Sequence, residues 1–315
     1  MHLPDYDDVC RAQERIAPWI HRTPILTSAT FDAMTGATLF FKCENFQKAG
    51  AFKSRGAVNA VFGLDETDAR RGVATHSSGN HGMALARAAA CRGIDCTVVM
   101  PETAPRAKVA AVRGYGGSVV FCAPRNTARQ QTLDEIVAES GANVVPPYDD
   151  ARVIAGQGTC AKELIEDVEG LDMVIAPIGG GGLVAGTALS CRALSPTTRL
   201  LAAEPANADD AYRSLAAGER LVEDAPDTIA DGLKASLGEL NWDIVRRHVD
   251  EILLAQEAAI VEAMHLIWQR MKIIIEPSCA LPLAAILHHP ERFAGQRVGV
   301  ILTGGNVDLD RLPWL

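Results

Sequence analysis

Short apolar runs alternate with helical patterns along most of this chain, and that alternation restricts the fold more than any other feature. The runs fall at residues 39–43, 73–76, 96–100, 118–122, 173–178, 200–204 and 298–303. Between them lie patterns of helical period, such as 80–92, 105–115, 127–140 and 182–194. Strands separated by helices predict an α/β fold with open, twisted, mostly parallel sheets flanked by helices on both faces. Pro105 suits a first helical position, where a missing N–H costs nothing. Residues 256–271 read as a long amphipathic helix outside a sheet, with Ile260, Val261, Met264, Ile267, Trp268 and Met271 on its apolar side. Two α/β units are expected, with a break near 144–148 where Pro146-Pro147 interrupts the pattern.

At 315 residues the chain can hold such units with full cores. It is 48% hydrophobic and 22% charged, as soluble globular proteins are. A net charge of −9 argues against nucleic acid and anionic membranes as partners. The run 173–191 is uncharged but carries Pro177 and four glycines, so it reads as a buried strand, a loop and a helix start instead of a membrane span. The N-terminal residues are acidic and lack the pattern of a signal peptide. Eight scattered cysteines without a C-x-x-C pair suit reduced, buried thiols. A cytoplasmic location is expected.

Ligands in folds of this class sit at the carboxyl ends of the strands. Three Gly-rich segments end strands here. His76-Ser77-Ser78-Gly79-Asn80-His81-Gly82 places hydroxyls, an amide and free N–H groups at a helix start, which suits a carboxylate or phosphate or, more plainly, an N-cap made by Ser78 or Asn80. Ile178-Gly179-Gly180-Gly181-Gly182-Leu183 can wrap backbone amides around a phosphate. It also fits a dinucleotide fingerprint through Ala185, with Glu204 as the ribose-binding acid. Leu302-Thr303-Gly304-Gly305-Asn306 offers a hydroxyl to a ring nitrogen. Ahead of all three stands Lys53 in Phe52-Lys53-Ser54-Arg55-Gly56-Ala57. A buried lysine loses basicity and can attack a carbonyl to form an imine. An amine, a phosphate cradle, a carboxylate-binding loop and a hydroxyl for a ring nitrogen together describe a pyridoxal phosphate site. The dinucleotide reading, a dehydrogenase or regulator, leaves Lys53 and the 77–82 loop unexplained.

These segments, with 40–44, 153–159, 229–232 and 304–309, occur in the order seen in the fold-type-II pyridoxal phosphate enzymes. The chain resembles their serine/threonine dehydratase and serine racemase branch almost end to end. The resemblance implies a tryptophan synthase β-like fold, with a large domain from 1–48 plus 146–315, a small domain from 49–145 and the site in the cleft between them. It implies that Lys53 forms the imine and that Phe52 and Gly232 flank the ring. Asn80 meets the ring's 3-hydroxyl, Gly179, Gly180, Gly181, Gly182 and Leu183 hold the phosphate, and Thr303 meets the pyridine nitrogen. A hydroxyl there makes the ring a weaker electron sink, which favours prompt β-elimination.

For the substrate, the resemblance points to Ser77, Ser78, Asn80, His81, Arg129 and Tyr148. His81 favours the dehydratase branch over the sulfhydrylases. Ser78 stands where serine racemases place an opposite-face acid/base, so a serine or aspartate racemase with dehydratase side activity is the alternative. Arg129 suits a second carboxylate and points to 3-hydroxyaspartate, whereas Tyr148 is more like the threonine dehydratases. Ala235 and Ala49 replace residues tied to substrate binding and nucleotide activation in racemases. Glu204 and Asp210, with the carbonyl of Ala208, are implied ligands for Mg²⁺ or Ca²⁺, the rival role being helix capping by Asp209 or Asp210. A homodimer acting on a small amino acid is expected.

Overall fold

The structure is a computed structural model and describes residues 3–223 and 226–315. Ten strands form two sheets among the described residues: β1 (Ile25–Leu26), β2 (Thr38–Cys43), β3 (Val73–His76), β4 (Cys96–Pro101), β5 (Ser118–Cys122), β6 (Asn143–Val144), β7 (Met173–Pro177), β8 (Arg199–Pro205), β9 (Glu251–Ala255) and β10 (Arg297–Leu302). The larger sheet has the order β1-β2-β10-β7-β8-β9, and the smaller has β5-β4-β3-β6. All pairings are parallel except β1 with β2.

Strand period 2 accounts for the layering. In β7, Met173 and Ile175 enter one core while Val174 and Ala176 enter another, and in β10 Val298, Val300 and Leu302 oppose Ile301. Both faces of the larger sheet are therefore covered, as parallel sheets require. In the smaller sheet, Cys96, Val98 and Met100 face one core and Val99 the other.

The seven expected strands form within one or two residues of their expected ends. Pro105 is corrected: it caps the helix Arg106–Gly114 from just outside, with ψ near 130°, instead of occupying its first turn. The helix Glu257–Met271 buries Ile260, Met264 and Ile267, and packs on the helix Pro277–His288. No helix among the described residues is long and apolar enough to cross a membrane.

The helix Lys53–Phe62 lies against both the helix Ala151–Asp167 and the helix Asn80–Arg92. Its approach to Ala151–Asp167 is close enough that a Cβ on Gly156 would lie 2.6 Å from Gly56 Cα. Beside that contact sits a closed group of charges. Arg55 is fully buried and uses all five of its N–H groups. Nε and one NH2 hydrogen go to Glu44 at 2.7 Å each; the others reach Glu163 (2.8 Å twice) and Thr159 Oγ1 (3.0 Å). Lys42 Nζ donates to Glu163 at 2.7 Å and to the Thr23 carbonyl at 2.8 Å, and Thr23 Oγ1 donates to Glu44. Two acids thus balance two bases in direct contact.

Removing one partner of a buried pair leaves the others desolvated and uncompensated. Arg55→Leu should therefore lower stability by about 3–5 kcal/mol, read as a lower urea midpoint at an unchanged denaturant slope. A loss below about 1 kcal/mol, the range of surface pairs, would contradict this.

Candidate active site

Lys53 and Thr303 are brought together by a short backbone suture. Ala51 bridges Gly304 in antiparallel fashion, Phe52 N donates to Thr303 O at 3.0 Å, and Gly305 N donates to Gly50 O at 2.9 Å. The chain entering the lysine helix is therefore stitched to the chain leaving β10. Lys53 is half-buried as a residue, but protein atoms crowd its amine. Burial pushes its pKa down to about 8, with Glu276 opposing. Nζ donates to Pro147 O at 2.6 Å and lies 5.0 Å from the centre of the Phe52 ring. Thr303 is buried, and its side chain reaches the Cys279 thiol. Gly232 is exposed, and its N–H is held by Ser278 Oγ at 3.0 Å.

The 77–82 segment leaves β3, whose neighbours β4 and β6 lie on opposite sides and mark the switch point of the smaller sheet. Its helix, Asn80–Arg92, starts with no side-chain cap, so the plain N-cap expectation for Ser78 or Asn80 is not met. Its first-turn amides take no acceptor from a capping side chain, as at several other helix starts of this structure. Asn80 turns away from capping: Nδ2 donates to Glu276 Oε1 at 2.7 Å, and Oδ1 accepts from Asn306 Nδ2 at 2.9 Å. Ser77 Oγ accepts from Gly79 N, and Ser78 is half-buried. His81 is buried and donates from Nε2 to Val145 O at 2.9 Å, because a carbonyl can only accept; Nδ1 has no partner. Burial, then the nearby Lys53, pushes its pKa down to about 3, so the ring is neutral. Arg129, in the first turn of Asn126–Ser140, is half-buried with no partner for Nε. It is close enough to join burial in lowering the pKa of His76, the residue before Ser77.

The glycine segment joins β7 to the helix Gly182–Leu194. Gly181 takes φ +89°, open to glycine but costly for other residues, and again no side chain caps the helix. A Cβ on Gly180 would fall 2.4 Å from the Tyr148 ring, so Tyr148 lies directly on this segment. Leu183 is the second residue of this helix, and its side chain is buried.

Glu204 is buried, and its two oxygens accept from Ala211 N at 2.9 Å and Tyr212 N at 2.7 Å. This acid, not Asp209 or Asp210, caps the helix Asp210–Ala217. Asp210 is buried with Oδ2 unpartnered, and Ala208 is buried beside it. Among the described residues no group of three or more His, Cys, Asp or Glu side chains converges as a metal site.

One site residue was not anticipated. Glu276 is buried, bonded to Asn80, and without a partner at Oε2. The signal was present in the sequence, since Glu276 is the sole charged residue between Lys272 and His288. Pro147 and Asn306 also entered the site unforeseen in these contacts.

Residues 16–304 match the family of pyridoxal-phosphate-dependent enzymes, and the chain belongs to that family. It is 60% identical over 314 residues to the "beta-hydroxyaspartate dehydratase" of Paracoccus denitrificans, covering 100% of both chains. It is 46% identical to the "L-threo-3-hydroxyaspartate ammonia-lyase" of a Pseudomonas species, covering 99% of this chain and 98% of that one. The solved structure of maize serine racemase superposes with a TM-score of 0.96 at 45% identity, covering 98% of this chain and 95% of that one. The residues suit the cofactor: a crowded amine of lowered basicity, an uncapped helix start behind a glycine of positive φ, and a buried hydroxyl at Thr303.

The buried acids make a pH signature. Burial pushes the carboxyls of Glu204 and Glu276 up to about 8 from 4.5, so the folded protein keeps protons that the unfolded chain releases between those values. Their contribution to stability falls as pH rises through that window. The lowered His76, His81 and His248 oppose this mainly near and below 6.5, and Lys53 mainly near and above 8, so the two carboxyls dominate between those values. The thermal midpoint of the cofactor-free protein should thus fall from about pH 6.5 to 8, and Glu204→Gln should make the fall shallower. A wild-type midpoint that rises across this range would contradict the assignment.

Proposed function

We propose that this chain is an ammonia-lyase that removes water from an L-β-hydroxy amino acid, with 3-hydroxyaspartate as the preferred substrate ahead of L-serine and L-threonine. The observation that carries the preference is Arg129, a half-buried guanidinium with no partner for Nε and near enough to His76, just before the 77–82 segment, to join burial in lowering its pKa. The start of the helix Asn80–Arg92 takes the α-carboxylate through its free amides, with Ser77, Ser78 and His81 around it. Arg129 takes the second carboxylate in a charge-assisted fork. Similarity to two relatives named for 3-hydroxyaspartate supports this reading over threonine. Tyr148 contributes shape on the glycine segment.

When bound, pyridoxal phosphate supplies an electron sink that loosens a proton on the substrate's α-carbon. The chain's residues do the rest. Lys53 Nζ holds the cofactor and, once released, accepts the α-proton; an amine with a pKa near 8 is matched to that task at neutral pH. Gly179, Gly180, Gly181, Gly182 and Leu183 would hold the phosphate through their amides, Phe52 and Gly232 would bound the ring faces, and Asn80 would meet its 3-oxygen. Thr303 offers the ring nitrogen a hydroxyl and not a carboxylate, so it does not hold a proton there. The proton that Lys53 accepts balances the one that leaves with the β-hydroxyl as water; with Lys53 back on the cofactor the product would leave as an enamine, which one water hydrolyses to a 2-keto acid and ammonia.

Glu204, Asp210 and the Ala208 carbonyl form the proposed place for Mg²⁺ or Ca²⁺. The unpartnered Asp210 Oδ2 and the hard oxygen donors support it. Added Mg²⁺ should raise the thermal midpoint of the wild-type protein and not that of Asp210→Asn; an equal rise in both would remove the site. A racemase side activity has one observation in its favour, the half-buried Ser78 beside the uncapped helix start. Solvent deuterium in recovered L-serine that disappears in Ser78→Ala would support it.

Keto-acid release from serine, threonine and both 3-hydroxyaspartate diastereomers tests the main reading. One hydroxyaspartate diastereomer should give the highest kcat/KM, and Lys53→Ala should abolish turnover. Arg129→Leu should lower kcat/KM for hydroxyaspartate about ten- to a hundred-fold, the range of a lost charge-assisted hydrogen bond, with serine little changed. Equal losses on both substrates would overturn the role of Arg129.

A further inference from the structure

Asn80 is held from both sides by a relay of amides whose orientation is set at a backbone carbonyl. Ala49 O can only accept, and Asn306 Nδ2 donates to it at 2.8 Å, so the Asn306 amino group must face that way. The same amino group donates to Asn80 at 2.9 Å, which requires the Asn80 oxygen there. The Asn80 amino group is then turned to Glu276, 2.7 Å from Oε1. One Asn80 N–H is taken by this bond and the other is left over. Glu276 is itself fixed: its N–H donates to Gly304 O at 3.0 Å, and a Cβ on Gly304 would lie 2.6 Å from Oε1. This suture is the one that sets Lys53 beside Thr303.

We infer that Glu276 is a positioning residue for the cofactor: as the acceptor for Asn80 Nδ2, it completes the relay that locks the Asn80 amide as a donor toward the ring's 3-oxygen. The inference rests on the reading of Lys53 and Asn80 given above. Asparagine can present either an N–H or an oxygen to a ligand, and only an N–H favours the ionised 3-oxygen of the lysine-bound cofactor. Without Glu276 the Asn80 amino group loses its buried acceptor, the amide is free to turn, and the ring loses its fixed donor. The protonated state fits this role. Burial, then repulsion from Asp231, outweighs Lys108, the Asn80 bond and the Asn306 backbone N–H, so the carboxyl is pushed up to about 8 and is mostly neutral at pH 7. A neutral acid accepts through one oxygen and adds no negative charge beside the ring oxygen.

The test uses the cofactor-loaded enzyme. Glu276→Leu should shift the visible band of the lysine-bound cofactor toward the near ultraviolet and lower kcat about a hundred-fold, the cost of a reacting centre displaced by about 1 Å, with KM little changed. Asn80→Ala should give the same spectral shift, and the double variant no further one, because both act on one bond. Glu276→Gln keeps an acceptor and should keep the wild-type band and kcat. Should Glu276→Leu fail to fold, Asn306→Ala frees the same amide from its other side and should shift the band alike. An unshifted band in Glu276→Leu or Asn306→Ala would overturn the inference, as would a loss in Glu276→Gln equal to that in Glu276→Leu, which would make Glu276 a proton donor. If the wild-type enzyme with pyridoxal phosphate shows no visible band, the cofactor reading of Lys53 fails first and this inference with it.

Discussion

Arg55 commits every N–H it has to Glu44, Glu163 and Thr159, and the geometry of the site depends on that closed set of bonds. The residue sits two positions after Lys53 on the same helix. Glu44 follows β2, and Glu163 and Thr159 lie on the helix that leads into β7. A planar fork bonded on all sides fixes rotation about the helix axis as well as distance, which a lysine in its place could not do. The helix carrying Lys53 is therefore keyed to the larger sheet. The Gly56 and Gly156 contact lets the two helices come close enough for the fork to reach.

A second constraint acts from the other side of Lys53. The pairing of Ala51 with Gly304, and of Phe52 with Thr303, places the Lys53 amine and Thr303 on adjacent segments, although 250 residues separate them in the chain. Two helices that begin without side-chain caps, at Asn80 and Gly182, then supply unused amides from the ends of β3 and β7. Each is a small local cost in stability, since capping commonly contributes about 1 kcal/mol. Both lie where an anionic ligand would satisfy the same donors.

Much of this was legible in the sequence because it is periodic or compositionally sharp. The seven expected strands are apolar runs of four to six residues, and each forms. The three Gly-rich segments could be placed at strand ends for the same reason. β1 and β6 are two residues each, too short for any period to register, and β9 is an edge strand whose five residues offer no turn signal of their own. Pro105 marks a helix start correctly but off by one position, as boundary residues often are. The charged group around Arg55 could not be read in advance, since it is made by residues 11 to 121 positions apart. Asn80 was identified, but its partner Glu276 lies 196 residues away. The capping role of Glu204 likewise follows from tertiary placement, which turns an acid that looks free into one that closes the next helix.

The central claim is that Lys53, keyed by Arg55 and opposed by Thr303, carries the cofactor and the proton. Borohydride reduction of the enzyme loaded with pyridoxal phosphate, followed by digestion and mass mapping, tests it most directly. The account predicts one pyridoxyl modification per chain, on Lys53, with loss of the visible band in proportion to labelling. Labelling confined to another lysine, or none while the enzyme still turns over substrate, would contradict it.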